Sequence, residues 1–283
     1  MLTISIFNGL VYGALLMVAA SGLAMIYGLR RVVNFAHGAL YMLGAYLGYS
    51  LAELTGFWGA LLLSPLIMAL LGVALDRFVF RPLQDRDPLS VLLVTFGLLL
   101  IIEDFVHAVW GRGNLSVEVP ALLENSVELF GAPVPLYRVL VVALGATAML
   151  GLWAWIRFSR LGLFVRALST DPLTTAMQGV NTDRVSAAVV GLGTGLAALA
   201  GVAASPMLSL VPSMGSDILV DSFVVVVIGG LGSLGGAFVA ALLLGQVQSF
   251  GILYLPSLSA VLPFLLMIAI LLWRPAGLSG NRL

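Results

Sequence analysis

Residues 1–29 read MLTISIFNGLVYGALLMVAASGLAMIYGL, and none of them carries a charged side chain. A bilayer's hydrocarbon core is about 30 Å thick and takes about 20 residues of helix to cross, so this run is long enough for one crossing. It lacks the positive n-region of a signal peptide and stays apolar beyond the usual h-region, which predicts a retained first span near 4–29. The pattern repeats along the rest of the chain. Apolar runs bounded by arginine or by Pro/Gly punctuation fall near 35–52, 57–78, 88–109, 136–156, 185–210, 218–231, 235–254 and 256–273. Continuous apolar runs exclude a transmembrane β-barrel, whose strands alternate at period two. The expected fold class is all-α: a polytopic integral membrane protein with about eight to nine transmembrane helices, of which one or two are broken or short. The 14-residue run 218–231 is the short one, and it reads either as a tilted or broken span or as a re-entrant hairpin.

Composition agrees. Apolar residues make up 61% of the chain and charged residues 9%, where a soluble domain carries roughly 25%. A water-soluble globule is excluded. Thirty-two glycines occur without a Gly-X-Y period, so they sit inside apolar segments. With no cysteine there is no disulfide, Cys-ligated zinc, iron–sulfur cluster or thiol nucleophile. All thirteen basic residues are arginine and the formal net charge is zero, so nothing suggests a nucleic-acid surface.

Arginine placement sets the expected orientation, because positive residues stay on the cytoplasmic side. With the N-terminus outside and nine crossings, Arg30, Arg31, Arg77, Arg81, Arg86, Arg157, Arg160, Arg166, Arg184, Arg274 and Arg282 are cytoplasmic. Only Arg112 and Arg138 are then external. The expectation is a multi-pass cell-membrane protein with its N-terminus outside and its C-terminus inside. Residues 111–135 form an external connection and 158–184 a long cytoplasmic one.

Several motifs resolve into structure rather than chemistry. GLGSLG at 230–235 fits G-x-G-x-x-G, but no acidic residue follows Asp221 to hold a ribose, so a dinucleotide site is excluded. GxxxG pairs at Gly9/Gly13, Gly44/Gly48, Gly191/Gly195 and Gly232/Gly236 are no more frequent than so many glycines give by chance, and indicate close helix packing in general. Glu103, Asp104 and His107 fall near the outer end of the fourth run and read as an interfacial cluster. His37 and His107 lie at opposite ends of their crossings and form no metal pair, so no catalytic residue, metal or cofactor is expected.

The stretches RVVNFAHGALYMLGAYLG (31–48) and VVVIGGLGSLGGAFVAALLLG (225–245) share a pattern, a polar or small-residue break between an apolar segment and a glycine-studded helix. Matched Gly-interrupted segments point to a transport path, since backbone exposed at a break can line a cavity. The path candidates are Asn34, Phe35, His37 and Gly38, with Gly229, Gly230 and Gly232 opposite or near them, and Asp221 at the start of the short segment.

RVVNFAHGALYMLGAY closely resembles the N-terminal motif of permease subunits of branched-chain amino acid ABC importers, and SRLGLFVRALSTDPLTTAMQGVNTDRV resembles their cytoplasmic coupling loop. VVVVIGGLGSLGGAFVAALLLGQVQ and LLWRPAGL fit the same family, so the resemblance covers nearly the whole chain as a single transmembrane permease domain, 1–283. It implies an importer of branched-chain or similar small amino acids with no enzymatic activity of its own. The implied partners are a second related permease subunit, two cytoplasmic ATPase subunits and an extracytoplasmic solute-binding protein, all organised around the lipid bilayer. The absence of G-x-x-x-x-G-K-[ST] agrees with ATP hydrolysis on another chain. The family's E-A-A-x-x-x-G pattern, set on Gly179, falls on Leu173, Thr174 and Thr175, so a glutamate-mediated contact is absent there. Related permeases carry urea, short amides or aromatic acids, and a proton-coupled secondary transporter or channel is the reading from another class.

Within 158–184, Arg157, Arg160 and Arg166 suit the membrane surface. Asp171 and Pro172 read as a helix start and Gly179 with Asn181 as its stop, giving a two-turn helix whose Leu173, Ala176 and Met177 look buried. The expected ATPase-coupling residues are Arg160, Asp171, Pro172, Ala176, Gly179, Asn181, Asp183 and Arg184.

Overall fold

The computed structural model describes residues 2–84, 86–129 and 131–279, so Arg282 of the expected cytoplasmic set lies outside the described residues. Helix α1 (Leu2–Arg30) has 29 residues and is therefore about 43 Å long, longer than a hydrocarbon core. At its end the chain reverses at Arg31, whose φ of 55° is the one positive value at a non-glycine residue among those described. It then re-enters the bundle. Helix α2 (Ala36–Leu75) begins where His37 Nε2–H donates to the Ala19 carbonyl (2.9 Å), eleven residues or about 16 Å back from the end of α1.

The runs expected at 35–52 and 57–78 are two arms of α2 folded at Gly56, which has φ 74° and ψ 169°. Glycine adopts that φ without steric penalty. Ser64 Oγ donates to the Gly44 carbonyl (2.7 Å) across the two arms. The second arm ends in a π-helical turn, Asp76–Phe80. There follow α3 (Pro88–Trp110), a hairpin of β1 (Ser126–Leu129) and β2 (Ala132–Pro135), α4 (Leu136–Phe158), α5 (Arg160–Thr170) and α6 (Pro172–Met177). The chain closes with α7 (Thr182–Ala204), α8 (Met214–Gly229), α9 (Leu234–Tyr254) and α10 (Leu262–Trp273).

Among the described residues six helical stretches are long and apolar enough to cross a membrane, and one of them, Ala36–Phe80, is the two-armed hairpin. α8 has 16 residues and α10 has 12, so both are short. The last run, 256–273, is not one helix. Pro256 opens a 3-10 turn and Pro263 sits in the first turn of α10, positions where the missing donors cost least.

Small residues set how closely the helices pack. Gly9 and Gly13 of α1 lie against Gly245 and Ala241 of α9; Gly44 and Gly48 of the first α2 arm meet Ala198 and Val202 of α7. Gly191 and Gly195 of α7 face Ala69 and Pro65 of the second arm. The residue pairs thus run parallel along the first arm and antiparallel along the second, as a hairpin requires. Around this core the outer helices expose apolar stripes such as Leu62, Leu66 and Leu70, or Leu265, Ile268 and Leu272. Their spacing of three or four residues makes each stripe one helix face, suited to lipid.

One end of the bundle collects Arg30, Arg81, α5 and α6; the other holds the β-hairpin, Asn8 and Arg138, which pair with each other. At that hairpin end Leu115 and Leu210 form an isolated antiparallel bridge (N–H···O 2.8 and 3.2 Å), tying the long connection after α3 to the segment between α7 and α8.

Candidate functional site

The re-entrant segment 31–38 is held from three sides. Asn34 is buried, and its Oδ1 accepts from the Ala36 N–H (3.1 Å), while its Nδ2 has no partner among the described residues. The Phe35 N–H donates to Thr95 Oγ1 of α3 (3.3 Å), and the Phe35 ring meets Phe96 edge-on at 6.3 Å. His37 is buried at the α1 contact already given. Gly38 packs directly on the backbone of Gly215, so the first turns of α2 and α8 cross with no room for a side chain.

Asp221 lies on α8, where its carboxylate accepts from Tyr12 OH of α1. One α8 face carries Asp217, Val220 and Phe223, all exposed, with Asp221 half-buried beside them. A carboxylate directed at hydrocarbon costs about 2.5–3.5 kcal/mol even on translocon-insertion scales, so this face suits water or protein rather than lipid.

Gly229, Gly230 and Gly232 lie elsewhere. Gly229 packs on Gly236, Gly232 (φ 84°) packs on Gly28 near the end of α1, and Gly277 lies on Gly230. The C-terminal tail closes α8 there: the Leu278 N–H donates to the Ile228 carbonyl (2.8 Å) and the Ser279 N–H to that of Gly229 (3.1 Å). Helix-end carbonyls otherwise left open are thereby satisfied. The structure does not bring the 229–232 break to the 34–38 break. Gly232 sits level with the end of α1, whereas His37 reaches Ala19 more than two turns deeper and Gly38 lies on Gly215, at the opposite end of α8 from Gly229.

Sequence reasoning missed a polar centre at the arginine-rich end. Asp76 is fully buried in the π-turn, pairs with Arg30, and accepts from Arg81 Nε (3.2 Å) and Ser186 Oγ (2.7 Å). Arg30 also donates to Ser186 Oγ (2.7 Å) and the Phe80 carbonyl (3.0 Å), and Arg81 reaches Asp183 Oδ2 (3.2 Å) and its carbonyl (3.0 Å). A lone carboxylate at the end of an apolar run, ALDRF, was the available signal. The centre joins the ends of α1 and α2 to the start of α7, where the 158–184 segment ends.

That segment folds as its punctuation predicts. Ser159 Oγ caps α5 at the Gly162 N–H (2.9 Å), Asp171 Oδ1 caps α6 at the Thr174 N–H (3.1 Å), and Asn181 Oδ1 caps α7 at the Arg184 N–H (2.9 Å). The Thr174 hydroxyl, and after it the Thr174 N–H, hold the Asp171 carboxyl below its usual pKa. Gly179 has φ 82° past the end of α6. The expected burial of Leu173, Ala176 and Met177 is corrected, because all three are exposed, Leu173 at 68% and Met177 at 76%. A six-residue helix has few faces, and Thr175 takes the inward one. Pro172, Arg160 and Asp183 are exposed too, while Arg184 is beside Asp183 at the start of α7. Glu103 and His107 are half-buried and Asp104 is exposed in the last turns of α3. Among the described residues no group of His and acidic side chains could hold a metal.

Comparison with known proteins places this architecture. The chain is 30% identical to the high-affinity branched-chain amino acid transport system permease protein LivH of Salmonella typhimurium, over 97% of this chain and 94% of that protein. It is 28% identical to the corresponding permease BraD of Pseudomonas aeruginosa, over 97% and 94%. It is 25% identical to a probable LivH permease of Methanocaldococcus jannaschii, over 96% and 91%. The family described as branched-chain amino acid transport system / permease component matches residues 5–271, and the chain belongs to that family of membrane transport permeases.

Proposed function

We propose that the chain is the membrane-spanning subunit of an ATP-driven importer for branched-chain or similar small amino acids. It works with a second related permease subunit, two cytoplasmic ATPases and an extracytoplasmic binding protein that delivers the solute. The N-terminus and residues 111–135 face outward, and 158–184 and the C-terminus face the cytoplasm, as the arginine distribution favours. The substrate class rests on the names of the LivH and BraD relatives.

The observation that carries the reading is the α8 face with Asp217 exposed and Asp221 half-buried beside it, two carboxylates on a helix too apolar to lie in water. Such a face is stable only against a water-filled passage or a second subunit. An amino acid passing it meets an acceptor for its ammonium group and, at Val220 and Phe223, apolar surface for its side chain. At the arginine-rich end α6 projects Leu173 and Met177 outward between two capped turns, a small rigid knob suited to a groove in an ATPase. The re-entrant residues Asn34, Phe35, His37 and Gly38 support the first turn of α2 beside α8, and Gly229, Gly230 and Gly232 form the inner hinge of α8.

The test is uptake of leucine into vesicles holding the reconstituted complex. Uptake should require ATP on the ATPase side and persist when the proton gradient is collapsed. Uptake that stops with the gradient and ignores ATP would establish a proton-coupled carrier instead, and competition by urea, acetamide or benzoate would reassign the substrate.

A further inference from the structure

At the arginine-rich end a cavity of about 310 Å³ opens between the re-entrant segment, the start of α3 and the α5–α7 connection. Small-molecule sites start near 300 Å³. Leu29, Val32, Val91 and Leu168 contribute aliphatic lining to the cavity. The lining also carries donors. Arg31 and Arg86 stand at the mouth, and neither pairs with a carboxylate among the described residues; Arg31 makes only a 3.4 Å contact to the Ser169 carbonyl. Deeper in the lining is Asn34, 4% exposed, whose Nδ2, like Arg30 Nε, is a buried donor without an acceptor among the described residues. No carboxylate is found among the described lining residues. A buried amide donor is normally paired, and here the missing partner is an acceptor.

We infer that this cavity binds the carboxylate of a small aliphatic acid. Arg31 and Arg86 neutralise the oxyanion, Asn34 Nδ2 donates to it, and Leu29, Val91 and Leu168 enclose the aliphatic part. The site lacks a counter-charge for an ammonium group, so it favours a deaminated acid at least as much as the amino acid. Pro172 and Thr182, which flank α6, also line the cavity, so a bound acid would bridge the re-entrant segment and the α6 segment. An oxyanion on an apolar body is also the chemistry of an anionic phospholipid at the membrane surface. The inference rests on the importer reading only in naming the transported solute as one source of the acid.

The test needs neither ATP nor partner subunits, so its failure is distinguishable from failure of the importer reading. The full chain in phosphatidylcholine nanodiscs is titrated with 4-methylpentanoate, L-leucine, isopentylamine and inorganic phosphate, and binding is read by calorimetry. 4-Methylpentanoate should bind at least as tightly as leucine and more tightly than phosphate, and isopentylamine should not bind. Charge-assisted hydrogen bonds are strong enough that Arg31→Gln with Arg86→Gln should weaken carboxylate binding about tenfold to a hundredfold. Arg86→Gln alone changes an exposed loop residue, leaves the fold in place and should weaken binding about tenfold. Arg112→Gln, at the opposite end of the bundle, should change nothing. Unaltered binding in the arginine variants, or tighter binding of isopentylamine than of 4-methylpentanoate, would overturn the inference. Repeating the titration in nanodiscs containing phosphatidylglycerol separates the sources: persistent binding supports a soluble acid, and competitive loss overturns it in favour of the lipid head group.

Discussion

Two glycine-to-alanine changes in apolar helices should differ sharply in their effect on stability. At Gly38 an added Cβ would overlap the Gly215 carbonyl oxygen and come within 2.7 Å of Leu219 Cβ. Carbon atoms in contact sit about 3.5–4.0 Å apart, so α2 and α8 must separate by about 1 Å. The obstacle is backbone and the first carbon of a side chain, and no rotamer change relieves it. Overpacking costs typically 1–3 kcal/mol, and this site belongs at the upper end, about 3 kcal/mol. At Gly97 of α3 the same Cβ meets nothing within 4 Å, so Gly97→Ala should be neutral or stabilise by at most about 1 kcal/mol. Titrating SDS into mixed micelles and following tryptophan fluorescence gives both unfolding midpoints under one set of conditions. Midpoints shifted equally, or free energies within about 0.5 kcal/mol of each other, would refute the tight α2–α8 crossing.

Three further outcomes follow from the arginine-rich end. Asp76→Asn leaves Arg30 and Arg81 without their shared anion; removing one partner of a buried pair costs about 3–5 kcal/mol, and with Arg30 17% and Arg81 28% exposed the lower end applies. The same SDS titration checks it, and adding Arg30→Gln should recover part of the loss. Replacing both Leu173 and Met177 with serine should leave stability within about 0.5 kcal/mol, since both are exposed, yet abolish solute-stimulated ATP hydrolysis in the reconstituted complex; retained stimulation would remove α6 from coupling. The Asp171 carboxyl titrates below its usual value when folded, so its cap is at full strength above the unfolded value of 3.8 and is lost as pH falls through the lower folded one. The protection of amides 173–177, relative to their intrinsic exchange, should therefore fall below about pH 4, and in Asp171→Ala it should already be low at neutral pH; wild-type protection flat with pH would remove the cap.

The helical segments and their approximate limits were readable because each apolar run is bounded by residues with a mechanical meaning. Asp87 and Pro88 open α3, Asp171 and Pro172 open α6, Gly179 follows α6, and Gly111 caps α3 at φ 82°. The hairpin at Gly56 was half readable. The two runs were separate in sequence, but only the left-handed φ shows that one glycine folds them. GxxxG pairs could not be assessed by frequency, since a glycine ridge matters through what faces it, and Gly44/Gly48 acquire meaning only against Ala198 and Val202. Asp76 escaped because its partners come from 46, 5 and 110 residues away. No local pattern joins Arg30, Asp76 and Ser186.

The exposed knob and the buried centre are mechanically continuous. From α6, the four residues 178–181, ending at the Asn181 cap, lead into α7, whose second residue, Asp183, is held by Arg81 and whose Ser186 touches both Arg30 and Asp76. Asp76 ends the second arm of α2, and Arg30 stands one residue before the reversal that carries the chain back to Asn34 and Gly38. Gly38 lies on Gly215, the second residue of α8. Each link is a hydrogen bond, an ion pair or a backbone contact, with the Arg30 and Arg81 side chains at the centre. A displacement of α6 would reach the Asp76 centre through α7, and a shift of α2 against α8 is the motion expected to follow. That crossing adjoins the face bearing Asp217 and Asp221, the proposed passage for the solute.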